Sequence, residues 1–229
     1  KDFGGNNAIL TLPDPGATGS LSENNAISID GIVPTVFSVS SSSADSVYKI
    51  GDIIPILITF SEAAFVDTSL GKPRLFLETG AQDAFAEYSA GSGTTVLSFI
   101  YTVSSGNVSN DLDYLSDSAL VYNNSTIRDA AGSLVDLSIA DPGAAGSLAA
   151  NKNLFIDGLS PTITSISSNE IDTTYSISDT LAITVTFSEA VTVSGVPQLT
   201  LETGSTDAAA NYISGTGTNV LTFQFIVVN

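Results

Sequence analysis

Phe60-Ser61-Glu62-Ala63 and, further on, Leu77-Glu78-Thr79-Gly80 come back as Phe187-Ser188-Glu189-Ala190 and Leu201-Glu202-Thr203-Gly204. Working outward, Asp14-Pro15-Gly16-Ala17 with Gly19-Ser20-Leu21 returns as Asp141-Pro142-Gly143-Ala144 with Gly146-Ser147-Leu148. Ile29-Asp30-Gly31 returns as Ile156-Asp157-Gly158, 127 residues later. Self-similarity at a fixed period marks an array of stacked modules. The repeat divides the 229 residues into a leading part, 1–31, one whole unit, 32–158, and a trailing part, 159–229. A unit of that length is large enough to bury its own core. Arrays of this kind serve reach, surface and assembly, so no enzyme is expected.

The whole unit reads as β structure. Ile54–Phe60 and Leu181–Phe187 are apolar and rich in branched residues, and Val96–Val103 and Val220–Val227 alternate with period two. Such alternation predicts strands with one buried and one exposed face. Pro73–Glu78, Gln198–Glu202, Leu134–Ile139 and Asn153–Ile156 give further short strands, and Ala81–Ala84 is long enough for one helical turn. Gly91-Ser92-Gly93, Gly215-Thr216-Gly217, Ser105-Gly106-Asn107 and Asn123-Asn124 supply turn chemistry between them. Seven or more short strands in one unit predict a two-sheet antiparallel β-sandwich. Tyr88, Phe99, Tyr101, Tyr212, Phe223 and Phe225 fall on these strands and are expected in the core.

Composition narrows the function. The chain has 24 acidic residues against 6 basic ones, a net charge of −18. Nucleic-acid binding by counterion release needs Lys and Arg, so it is excluded. Docking on anionic lipid is disfavoured for the same reason. A surface this acidic repels itself unless cations screen it, which makes a divalent metal the partner to test; plain solubility is the other reading. The chain contains no Cys, His, Trp or Met. Disulfides, thiol chemistry, the usual zinc sites and a histidine base are thereby excluded. No apolar run is long enough to insert in a membrane. With no Met the chain is expected to be a processed or excised piece, and the disulfide-free, Lys-poor composition suggests an extracellular or bacterial cell-surface protein.

FSEAVTVSGVPQLTLETG (187–204), Asn211-Tyr212, the Gly215–Phe223 segment, Asp111-Leu112-Asp113-Tyr114, Ile127–Gly132 and the Ile-Asp-Gly-x-x-Pro-Thr linkers at 29–35 and 156–162 together carry a resemblance. They resemble bacterial immunoglobulin-like, cadherin-like repeats of large surface proteins and adhesins. The resemblance spans essentially the whole chain. It implies all-β, tandem immunoglobulin-like sandwich modules of about 125 residues, set in an extracellular structural or adhesive protein. The linkers are a few residues long, so a stiff chain is expected rather than beads on a string.

Several acids sit at element ends. Glu62 follows a strand, Asp111 and Asp113 share a turn, Asp129 precedes Ala-Ala-Gly, and Asp157 lies in a linker. Their repeat-mates are Glu189 for Glu62, Asp2 for Asp129 and Asp30 for Asp157. Ca²⁺ takes 6–8 oxygens from carboxylates, carbonyls and water. A strand-end Glu, an Asp-x-Asp and a linker Asp from adjoining modules would supply them, and cadherin-like modules use a similar set. The alternative is that these acids cap turns and face water. Glu78, Glu202, Asp83 and Asp207 are expected to form turns. Asn107 and Asn124 match glycosylation acceptors, which a bacterial chain discounts. No Ser or acid cluster breaks the repeat pattern, so nothing points to a hydrolase. A glycan or protein ligand held at loop ends is the rival to a purely structural part.

The second copy is three residues shorter between its Phe-Ser-Glu and Leu-Glu-Thr-Gly, and beyond that point the offset is 124. The trailing part therefore holds the first half of a unit and the leading part the last strands of one, with Gly106–Ile127 found once only. Half a sandwich exposes an apolar face and open strand edges. Either residues 1–31 of one molecule complete residues 159–229 of the next, head to tail, as a non-closing filament, or neighbouring sequence in a longer array completes both.

Overall fold

The computed structural model describes residues 1–228. Within 32–158 it contains β1 (Val36–Ser41), β2 (Ser46–Lys49), β3 (Ile53–Asp67), β4 (Arg74–Glu78), β5 (Ala84–Ala90), β6 (Thr94–Thr102), β7 (Val108–Ser109), β8 (Asp113–Tyr114), β9 (Leu120–Val121), β10 (Thr126–Arg128) and β11 (Leu154–Asp157). One sheet runs β1-β3-β6-β5-β4-β8, with β10 pairing β3 and β9 pairing β4; a second, smaller sheet runs β2-β11-β7. The chain is all-β, as the period-two pattern predicts.

The core follows from that pattern. Ile54, Ile56, Ile58 and Phe60 of β3 and Leu97, Phe99 and Tyr101 of β6 point to one side and are buried. Leu154 and Ile156 of β11 come from the smaller sheet and join the same cluster, as does Leu148. Tyr88 packs edge-on against Phe99, with centroids 5.9 Å apart. Burial lifts the Tyr101 phenol to about 12; its hydroxyl donates to Asn107 Oδ1 at 3.0 Å. Asn107 is itself buried, which closes that glycosylation motif to any enzyme, whereas Asn124 is exposed.

Residues 159–228 rebuild the large sheet. β12 (Ile163–Ser168), β13 (Thr180–Val191), β14 (Gln198–Leu201), β15 (Ala208–Ser214) and β16 (Thr218–Ile226) run in the order β12-β13-β16-β15-β14. That is the order β1-β3-β6-β5-β4, and the register is kept: Ile163 faces Phe187 where Val36 faces Phe60. Tyr212 meets Phe223 at 6.0 Å, again edge-on. Only Val185, Ala210, Leu221 and Phe223 are fully buried here, so Phe225 and Tyr212, expected in a core, are only partly covered. The cause is that no second layer lies over this sheet among the described residues.

Three sequence expectations need correction. Leu134–Ile139 is not a strand: Val135 donates to Ile127, Asp136 to Pro34 and Ile139 to Asp117, so its hydrogen bonds go to three segments and no ladder forms. Ala81–Ala84 makes no helical turn. Short helices lie instead at α1 (Leu21–Asn24) and α2 (Leu148–Asn151). Ser20 and Ser147 cap them by accepting from the N–H groups of Glu23 and Ala150; the Ser-x-x-Glu of 20–23 was the readable signal. Finally, the pairing is not wholly antiparallel, because β11 runs parallel to β2. A parallel pair needs a long crossover, and residues 50–153 provide it.

The linker is clamped at one end. Gly158 donates to Asn107 at 2.7 Å and accepts from Gly106 at 2.8 Å. A Cβ on Gly158 would lie 2.4 Å from Ser104 O and 2.5 Å from Asn107 O, while one on its mate Gly31 meets nothing within 4 Å. Gly158→Ala should therefore lower stability by about 1–3 kcal/mol, the range of an overpacked site. Gly31→Ala should change it by less than about 0.5 kcal/mol. Urea unfolding of the two variants measures the contrast.

Candidate metal site

β3 and β6 pair regularly from Ile53↔Thr102 to Thr59↔Val96, then resume at Ala64↔Thr94. The residues between, Phe60 to Ala63, form a bulge, and Glu62 sits in it. Bulges re-aim side chains beside functional sites. Beyond the bulge, β10 runs antiparallel to β3, pairing Arg128 with Phe65, so the next residue, Asp129, arrives level with the bulge. On the other side, Thr35 donates to Ser61 Oγ at 3.0 Å and accepts from Ser61 N–H at 2.9 Å, tying the incoming linker to the same place.

Three acids converge there. One carboxylate oxygen each from Asp30, Glu62 and Asp129 lies within 4.8 Å of the others. Two ligands of one Ca²⁺, at about 2.3–2.6 Å each, can be no more than about 5 Å apart, so the spacing suits a single ion. Asp129 is 4% exposed, and its loop is built to hold it: Ser133 N–H donates to Oδ1 at 2.7 Å and Gly132 N–H donates to the Asp129 carbonyl at 3.3 Å. Its Oδ2 is buried with no partner, and so is Oε1 of Glu62. Buried oxygens without donors are uncommon and costly. A cation would satisfy both at once.

The charges fit this reading. Burial, then the negative charges of Asp30 and Asp129, push the Glu62 carboxyl above its ordinary 4.5. Burial also opposes charge on Asp129, but the donors of Ser133, Gly132 and Ala131 outweigh it and hold that carboxyl below 3.8. The two carboxyls are thus shifted in opposite directions, Asp129 toward the ionised form and Glu62 away from it.

The other sequence-nominated acids lie elsewhere. Asp113 is buried but fully engaged, accepting from Tyr114 N–H at 3.0 Å and Gly143 N–H at 2.8 Å. Asp111 accepts from Leu154 N–H at 3.3 Å. These two brace β8 and β11 and do not join the cluster. Asp157 accepts from Leu159 N–H just as Asp30 accepts from Ile32 N–H. Glu189 sits in the bulge of β13 between Thr186↔Val220 and Val191↔Thr218, the same irregularity that holds Glu62. Asp157 and Glu189 therefore occupy the positions that Asp30 and Glu62 hold 127 residues earlier. Asp2 is exposed and sits in a loop like that of Asp129, with Asn6 N–H donating to Oδ1 at 2.8 Å. Glu78 and Glu202 accept from Gly80 and Gly204, as turn formers do.

No known protein-family model matches the chain, and no curated protein matches it.

The raised Glu62 carboxyl has a sign that can be tested. A folded-state pKa above the unfolded one gives stability that is present at low pH and lost as pH rises through the folded value. In metal-free buffer, thermal stability should therefore fall as pH climbs above about 4.5, and Glu62→Gln should abolish that component. In calcium the ionised form becomes a ligand, so the fall should vanish in the unmodified chain. Unfolding scans across pH 4–8, with and without calcium, check both.

Proposed function

We propose that the chain is a segment of an extracellular, bacterial-surface fibre built from tandem immunoglobulin-like modules, and that Ca²⁺ at the junction stiffens it. Its work is mechanical rather than catalytic. The observation that supports this most is the convergence of a linker acid, Asp30, with two acids of the following unit, Glu62 and Asp129, around two buried oxygens that lack donors. An ion held there bridges what precedes the unit to the unit itself. The internal repeat, the clamped linker glycine and the strongly acidic surface fit the same part. Asp157 and Glu189, at the positions of two of the three acids, would extend the arrangement to the next junction.

Extracellular calcium modules bind with Kd of about 10⁻⁴–10⁻³ M. At a hundredfold excess over Kd, binding to the folded state alone adds about 2.7 kcal/mol of stability. Calcium titration by calorimetry should show binding in that range, lost in Asp129→Asn and weakened in Asp30→Asn. Small-angle scattering should show a narrower range of shapes in calcium than in chelator. Equal binding by Asp129→Asn and the unmodified chain would sink the site. Turnover of any polysaccharide or peptide would sink the mechanical reading.

A further inference from the structure

Residues 1–31 are a detached copy of the segment that closes the unit at 32–158. The Asp2 loop repeats the backbone bond of the Asp129 loop: Asp2 N–H donates to Asn6 O at 2.9 Å where Asp129 N–H donates to Ser133 O at 3.0 Å. It differs in that Asp2 Oδ2 accepts from Asn6 Nδ2 at 2.8 Å, where Asp129 Oδ2 has no partner. The Asp14–Ala17 and Ala17–Ser20 turns repeat Asp141–Ala144 and Ala144–Ser147, each bond 2.9 Å long. Ser20 caps α1 in the backbone conformation of Ser147. The apolar positions match too, but their surroundings do not. Leu148 is 0% and Ile156 4% exposed, whereas their mates Leu21 and Ile29 are 69% and 92% exposed. Leu10, Leu12 and Ile27 are likewise exposed, and Leu12, Leu21 and Ile27 line an open groove with Pro13 and Pro15.

The complementary surface is on the second sheet. Val39 of β1 is 1% exposed because α2 covers it: Val39 N–H donates to Gly146 O at 2.8 Å, and Asn151 Nδ2 donates to Val39 O at 2.8 Å. Its mate Ile166 on β12 is 55% exposed. The residues that would cover it are the mates of Gly146 and Asn151, namely Gly19 and Asn24, and both belong to the exposed leading segment.

We propose that residues 1–31 of a second copy of this chain dock on the uncovered face of 159–228, in the register that 128–158 takes within 32–158. Gly19 and Asn24 of the incoming copy bind the backbone of Ile166. Ile27–Asp30 lies parallel to Thr173–Ser176, as β11 lies parallel to β2. Leu21, Ile27 and Ile29 fill the places of Leu148, Leu154 and Ile156. Asp2 of the incoming copy then reaches Asp157 and Glu189 and supplies the member their group lacks. The Asp2 loop, the 14–20 turns and α1 already have the form of their mates. Ile27–Asp30 and Thr173–Ser176, by contrast, are not strands and become extended partners on docking, at a cost in ordering. The contact is head-to-tail and does not close, which makes a filament. Residues 1–31 hold no counterpart of Leu112, Tyr114 or Leu120, so docking of these residues alone buries less than the seam within 32–158. The proposal deepens the fibre reading and rests on it for its purpose.

The test uses three full-length chains in calcium, followed by sedimentation velocity and electron microscopy. Leu21→Asp with Ile29→Asp disables the donor segment at exposed positions, and Ile166→Asp disables the receiving face at another. The unmodified chain should form concentration-dependent oligomers and filaments, and each variant alone should stay monomeric. Mixed in equal amounts, the two variants should form dimers and stop, because the one working donor meets the one working face. A monomeric unmodified chain, a donor variant that assembles normally, or a mixture that stays monomeric would overturn the proposal. Calcium binding by the monomeric variants reports the Asp30, Glu62 and Asp129 site separately. If that binding persists while assembly fails, the fibre reading stands and only the docking falls. Assembled chains should also bind more calcium per subunit than the variants, and Asp2→Asn should remove the excess; no excess would eliminate the shared site.

Discussion

The large sheet has an apolar face that cannot cover itself. Ile54, Ile56, Ile58, Leu97 and Phe99 need a lid, and in 32–158 the lid comes from the last thirty residues of the unit, through Leu148, Leu154 and Ile156. Burying such side chains contributes roughly 1.5–3 kcal/mol each. The same demand is unmet in 159–228, where Ile163 and Ile166 remain exposed and Phe225 is only partly covered. Much else follows from who supplies the lid: the position of the linker, the clamp on Gly158, and the arrival of the Asp129 loop beside the β3 bulge.

The acidic group shows how a fold can store a binding site in a local irregularity. A regular β3–β6 ladder would carry Glu62 along with the strand. The bulge takes it out of register, and the β10 pairing brings Asp129 to the same level. Asp30 needs only the short Gly31–Pro34 span to reach them, because Thr35 and Ser61 fix where that span ends. Each acid is placed by backbone pairing rather than by contact with another acid. The cluster is therefore held together against its own repulsion by the sheet.

Much of this was legible in the sequence. The branched apolar run Ile54–Phe60 and the alternation of Val96–Val103 marked the positions of β3 and β6. Glu62, Asp129 and Asp30 were nominated from their places at element ends. What could not be read was which acids meet. Asp111 and Asp113 looked as ligand-like as the others, yet they brace backbone N–H groups, because partners 30 and 43 residues away decide their surroundings. Leu134–Ile139 misled for a related reason: its alternation is real, but its hydrogen bonds scatter. Strand β5 was hidden by Ala, Glu and Ser, residues depleted in strands, and is held by β4 and β6 on either side.

The parallel pairing of β2 with β11 has a consequence for load. The N-terminal end of β2 leads back toward residue 32, and the C-terminal end of β11 leads on to Gly158. In a parallel pair those ends lie at opposite ends of the ladder. Tension applied at those two ends would therefore pull the two strands past each other and strain their bonds together, instead of peeling them one by one. Two of the four residues of β11, Ile156 and Asp157, are flanked on the other side by β7. The strand that bears the pull is thus gripped on both edges, and rupture would demand the simultaneous failure of two ladders.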